Sequence, residues 1–261
     1  MDTLFTVMIC LLAGCGAGLG TGFAGMSAAA VISPMLITFL NIPAYTAVGI
    51  ALASDILASA VSAYIYGKNK NLDIKNGSIM MAFVLLFTMI GSYVASLLPE
   101  QTMGSFSVFM TMILGIKFIV KPVMTTKEAM LSVEKKKRIK QSIISGTFIG
   151  FICGFVGAGG GMMMLLVLTS VLGYELKTAV GTSVFIMAFT AFTGSVSHFV
   201  MGGDTPDYFV MALCMLFTLL FARIGARIAN KASTKTLNRA TGVILLLLGI
   251  IVLGLGSSFN S

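Results

Sequence analysis

Apolar residues run along this chain in long blocks parted by short polar stretches. The blocks fall at about 4–24, 28–40, 44–66, 78–98, 102–120, 141–156, 160–172, 177–200, 208–229 and 237–257. A helix needs roughly 20 apolar residues, at 1.5 Å rise each, to cross a bilayer. Six of the ten blocks stand alone as spans. The other four form two pairs, 4–40 and 141–172, in which a glycine cluster rather than a charged loop separates two apolar runs. Each pair folds either as two short tilted spans or as a re-entrant hairpin, and the pattern permits both. The prediction is an all-α membrane protein with 8–10 transmembrane segments.

The second half of the pattern repeats the first. A shift of 132 residues lays Gly14, Gly18, Gly22 and Gly25 on Gly146, Gly150, Gly154 and Gly157, and Thr46-Ala47-Val48-Gly49 on Thr178-Ala179-Val180-Gly181. With two extra residues in the second half, Gly91 meets Gly225 and Leu114-Gly115-Ile116 meets Leu248-Gly249-Ile250. Internal periodicity of this kind marks a fold built twice from one unit. The expected organisation is repeat 1 over 1–120, a basic linker over 121–140, and repeat 2 over 141–261. Each repeat is a glycine-broken helix pair followed by three spans.

Charge placement orients the halves. Lys68, Lys70 and Lys75 lie in the loop at 67–77, whereas its counterpart in the second half is Gly202-Gly203-Asp204-Thr205-Pro206-Asp207. The loop at 99–101 holds only Glu100, while its counterpart holds Lys231 and Lys235. Lys and Arg concentrate on the cytoplasmic side, so equivalent loops are expected on opposite faces. That is an inverted-topology repeat, common among secondary transporters. It puts both termini outside, in a plasma or inner membrane.

Composition narrows the function. Of the 261 residues, 57% are hydrophobic and 10% charged, against about 25% charged in a soluble domain. The net charge of +8 gathers in the linker, where Lys135, Lys136, Lys137, Arg138 and Lys140 read as one loop. It marks topology rather than a nucleic-acid surface. Four cysteines without a C-x-x-C pair, and a single histidine, His198, give no basis for a metal site or disulfide framework. No cofactor motif fits: Gly20 to Gly25 matches G-x-G-x-x-G, but no strand precedes it.

The chemistry falls to the glycine clusters, Gly20-Thr21-Gly22-Phe23-Ala24-Gly25-Met26-Ser27 and Gly154-Phe155-Val156-Gly157-Ala158-Gly159-Gly160-Gly161. Upstream of each runs a G-x-x-x-G-x-x-x-G stripe suited to close helix packing. The clusters let helices break inside the membrane, and the exposed N–H groups of the following helix attract anions. Thr21, Gly22, Gly25, Ser27, Gly157, Gly159, Gly160 and Gly161 are therefore the candidate substrate residues, with Thr182 and Ser183 as added hydrogen-bond donors. Asp55 sits near the centre of the 44–66 block, where a carboxylate faces a cavity or a partner. It is either a proton carrier or a structural link between helices. Its counterpart in the repeat is Met187.

Gly22-Phe23-x-Gly25 and Gly154-Phe155-x-Gly157-Ala158-Gly159-Gly160-Gly161, each followed about twenty residues later by Thr-Ala-Val-Gly, resemble the sulfite exporter TauE/SafE family. The resemblance covers essentially the whole chain. The first half departs from it, reading Gly25-Met26-Ser27-Ala28 where a fuller glycine run stands in the second half, and Ile50-Ala51 where Thr182-Ser183 stand. The resemblance implies a multi-pass permease for small sulfur-containing or organic anions, such as sulfite or sulfonates, coupled to an ion gradient. Expected partners are the lipid bilayer, the anion and a coupling ion such as the proton. The competing readings are a passive anion channel and a thiol-dependent sulfur relay through Cys153.

Overall fold

The structure, a computed structural model, describes residues 3–95, 113, 115–156, 160–201 and 206–257. All secondary structure among these residues is helical: α1 (Thr3–Ala24), α2 (Ala29–Leu40), α3 (Ala44–Lys68), α4 (Ile74–Ala95), a helical stretch α5 (115–120), α6 (Lys127–Leu131), α7 (Lys135–Val156), α8 (Gly160–Ser170), α9 (Leu176–Met201), α10 (Tyr208–Lys231) and α11 (Thr234–Ser257). Five described stretches are long and apolar enough to cross a membrane: Thr3–Ala24, Ala44–Lys68, Ile74–Gly91, Leu176–Val196 and Tyr208–Lys231. Many of their large side chains, such as Leu12, Tyr64, Met89 and Leu216, face outward. Lipid is the solvent that tolerates such a surface.

The glycine-separated pairs prove unequal. α1 is a full-length helix of 22 residues and α2 has 12, about 18 Å at 1.5 Å per residue, which is too short to cross alone. α8, with 11 residues, is equally short. The 121–140 stretch is also more ordered than a linker suggests. It carries α6, and the basic run from Lys135 to Lys140 forms the first turns of α7, because Lys and Arg are good helix formers. Arg138, read from sequence as one of several loop cations, is buried.

Element ends recur at the interval seen in the sequence. α1 and α7 both start and stop 132 residues apart, and α3 and α9 start 132 apart. The heaviest packing joins α4 to α7, α1 to α10 and α3 to α9. The glycine stripes explain the first two. A Cβ at Gly14 would lie 2.5 Å from Phe217 Cβ, one at Gly18 2.6 Å from Thr218 O, and one at Gly22 2.7 Å from Ala222 O. Contacts that advance together along both helices make α1 and α10 parallel. Gly146 and Gly150 play the same part on α7, against Met80 O (2.8 Å) and Val84 O (2.5 Å) of α4. α3 and α9 run antiparallel, for Gly181 abuts Tyr66 while Gly194 abuts Leu52.

Candidate functional site

Protein groups partner the backbone at the first helix break. α1 ends where Gly25 enters the left-handed region (φ +59°), and its N–H bonds Thr21 O at 3.0 Å, an αL cap. The last carbonyls of a helix lack partners within it. Here Gly20 O accepts from Met26 N–H (3.3 Å), Gly22 O from the Tyr66 hydroxyl (2.9 Å) and Phe23 O from the Thr241 hydroxyl (3.3 Å). Thr21 shares its single hydroxyl proton between Ala17 O (2.9 Å) and Met26 O (2.8 Å). Irregular backbone survives at membrane depth only when such partners exist.

Asp55 occupies the other side of the break. The Ser27 hydroxyl donates to its Oδ2 at 2.6 Å, and the Ser59 hydroxyl to its Oδ1 at 2.8 Å. The Ser27 hydroxyl oxygen in turn accepts from Ala29 N–H, at the start of α2, at 3.4 Å. The carboxyl group is 1% exposed. It therefore sits in front of the N-terminus of α2, where the helix dipole favours negative charge. Asp55 is 11 residues from the start of α3 and 13 from its end, so this N-terminus begins at mid-height of the bundle.

Residues from the second half reach the same break. Ser183 Oγ on α9 lies 3.3 Å from Gly25 O, and a Cβ at Gly25 would stand 3.1 Å from that Oγ. Thr182, its neighbour, turns away. Its Oγ1 accepts from Asp73 N–H at 3.2 Å, at the start of α4. Thr21, Gly22, Gly25, Ser27, Asp55 and Ser183 thus form one cluster, and Thr182 belongs to another. Sequence reasoning missed Ser59 and Tyr66. The four-residue spacing of Asp55 and Ser59 on a helix was the available signal for the former. Gly157 and Gly159 lie outside the described residues, as do the side chains of Cys153 and His198. Gly160 and Gly161 open α8.

Gly25→Ala tests the break directly. The left-handed backbone alone costs a residue with a Cβ about 1–2 kcal/mol, and the crowding against Ser183 adds to it. The expected outcome is a clearly lower unfolding temperature in detergent. An unchanged temperature would mean that the turn adapts to a side chain.

The Thr182 cluster lies at one end of the bundle, where the α3–α4 and α8–α9 connections meet the first turn of α7 and the end of α10. Asp73 accepts from the Tyr174 hydroxyl (2.8 Å), Asn76 Nδ2 (2.7 Å) and Asn76 N–H (3.1 Å), and Arg138 Nη1 lies 3.9 Å from its Oδ2. Burial, reinforced by the Asp73 charge, pushes the Tyr174 phenol up, so it remains a donor. Asn71 reaches Asn230 at the end of α10 (2.8 Å), and Lys177 bonds Asn230 O (2.8 Å). Among the described residues no group of His, Cys, Asp and Glu side chains is placed to hold a metal ion.

An all-helical bundle with several bilayer-length apolar helices, and a polar site buried at mid-height, defines a multi-pass membrane protein. The chain belongs to the sulfite exporter TauE/SafE family, whose description matches residues 10–252, and is a membrane transporter of that family. It is 27% identical to the probable membrane transporter protein YunE of Bacillus subtilis, over 95% of this chain and 96% of that one. It is 22% identical to the probable membrane transporter protein YdhB of the same organism, over 90% and 96%. A probable membrane transporter protein of Methanocaldococcus jannaschii, MJ0441, is 25% identical over 90% and 88%. No solved structure matches.

Proposed function

We propose that this transporter moves a small anion, sulfur-containing or organic, by alternating access, and that Asp55 couples the movement to protons. The observation that carries the reading is the position of Asp55 in front of the α2 N-terminus, bonded to Ser27. An ionised Asp55 claims the donors that a substrate anion would use. A protonated one needs an acceptor for its own proton and releases part of that claim. Anion and proton then load together, and one negative charge replaces another at the same helix end. Thr21, Gly22, Gly25, Ser27 and Ser183 form the first half of the substrate site. Gly157, Gly159, Gly160 and Gly161 complete it from the second half, and Thr182 acts at the basic end.

The same reading makes the two halves inverted repeats. It is supported by equivalent helices α3 and α9 running antiparallel, and by each repeat's first helix packing on the fourth helix of the other. The second repeat then starts at Lys135, in register with Thr3. The basic end faces the cytoplasm of a plasma or inner membrane, and both termini face outward.

Reconstitution into proteoliposomes tests the proposal. A sulfonate is the best probe, since a strong acid keeps its charge and does not leak across as a neutral species. Uptake should saturate, and a gradient of one pH unit, acid outside, should drive about tenfold accumulation if one proton accompanies one charge (about 1.4 kcal/mol). Absence of flux for sulfite, sulfonates and organic acids, with or without the gradient, would overturn it. Ohmic single-channel current would mark a pore instead.

A further inference from the structure

At the basic end a cavity of about 480 Å³ opens between the start of α4, the linker helix α6 and the first turn of α7. Lys70, Lys75, Lys127, Lys135 and Arg138 line it, against the single carboxylate of Asp73. Part of this charge is already engaged: Lys127 Nζ reaches Lys70 O and lies 3.2 Å from Asn71 Oδ1. Lys70, Lys75 and Lys135 are exposed. Arg138 is different, being 6% exposed. One guanidinium nitrogen bonds Met130 O, another faces Asp73 at 3.9 Å, and the group stacks over the Tyr174 ring at 5.3 Å. Its Nε–H is buried without an acceptor. A buried donor left unpaired is costly, the more so when it carries charge.

We propose that this cavity binds a phosphate group. A planar guanidinium on the cavity wall, held from three sides and with donors beyond the one that bonds Met130 O, suits an oxyanion. Ammonium groups in excess around it suit a ligand that carries more negative charge than Asp73 cancels. Ile74 and Leu131, lining the cavity and exposed, give it an apolar edge beside the membrane-spanning helices. The phosphate therefore comes either from the headgroup of an anionic phospholipid, with its first methylenes on that edge, or from a soluble phosphate. Basic pockets at the cytoplasmic ends of spans commonly hold lipid headgroups. The occupant would tie α4 of one half to α7 of the other through the linker.

The test reads binding and does not depend on transport. Purified protein in phosphatidylcholine nanodiscs is titrated with inorganic phosphate, with chloride at matched ionic strength as control, and its unfolding midpoint is followed. In a second arm the phosphatidylglycerol fraction is raised without phosphate, and native mass spectrometry counts retained lipids. A saturable rise in the first arm identifies a soluble phosphate, and retention of phosphatidylglycerol in the second identifies the lipid. Either response should weaken about tenfold or more in the Lys75→Gln/Lys135→Gln variant, which changes two exposed side chains and spares Arg138. No response in both arms, an equal response to chloride, or an undiminished response in the double variant would overturn the proposal.

Discussion

Replacing Gly18 by leucine should destroy the bundle. A Cβ there would lie 2.6 Å from Thr218 O, 2.8 Å from Ala222 N and 2.8 Å from Phe221 Cβ. Two of these are backbone atoms of α10, so no side chain can swing aside. Forcing extra atoms into a packed core costs about 1–3 kcal/mol even where neighbours can shift. Here α1 must separate from α10 along its length, opening the contacts of Gly14 and Gly22 as well. Lipid offers no hydrophobic drive to close the gap, since helix association in a bilayer rests on close packing. Gly18→Ala should already lower the unfolding temperature, and Gly18→Leu should aggregate or run in the void volume on size exclusion. Gly150→Leu should match it, because the position meets Val84 O at 2.5 Å and Val84 Cα at 2.8 Å. Gly67→Ala is the control: its nearest neighbour is the flexible end of Leu72 at 3.3 Å, and no loss is expected. A stable, monodisperse Gly18→Leu protein would show that α1 and α10 are not held by backbone proximity.

Asp55 gives the second large effect, and two substitutions separate its roles. Asp55→Ala removes the acceptor for Ser27 and Ser59 and leaves the α2 N-terminus facing a void. Ser59 can rotate to a carbonyl one turn back, but Ser27 stands outside a helix and has no such refuge. A loss of about 1–3 kcal/mol follows from a stranded buried donor. Asp55→Asn keeps the shape and one acceptor oxygen without the charge. It should fold, exchange labelled anion across the membrane in counterflow, and fail to accumulate it when the outside is made acid. Wild-type protein should do both. If Asp55→Asn still concentrates anion about tenfold under one unit of gradient, Asp55 is a structural link, and protons couple elsewhere or not at all.

Sequence alone went far in one dimension. Among the described residues the apolar runs gave most helix positions closely: α1 stops at Ala24 as the block 4–24 requires, and Gly25 supplies the left-handed residue that ends it, whereas α7 begins at Lys135, ahead of its block at 141–156, and most of the block 102–120 lies outside the described residues. α2 spans 29–40 against an expected 28–40. The 132-residue shift anticipated that α3 and α9 would begin in register. These features are legible because burial of apolar surface and glycine's backbone freedom are local properties that each residue carries with it. The glycine stripe likewise announced a close approach, yet permission to approach does not name the partner. That α10 fills the space beside Gly18, and α4 the space beside Gly150, emerged only on folding.

The site shows the same division. Asp55 stood out as a lone mid-span acid, and Ser27 as a hydroxyl beside a break. Nothing in their separation of 28 residues says that one bonds the other at 2.6 Å. Thr182 and Ser183 are adjacent in sequence and part company in space, one toward Asp73 and the other toward Gly25. Arg138, one of five cations in a basic run, is the one that turns inward to Tyr174. Hydropathy along a chain determines that a helix exists and how long it is. Its rotation about its own axis, and the neighbour each face meets, depend on packing among helices far apart in sequence, and only the tertiary structure decides them.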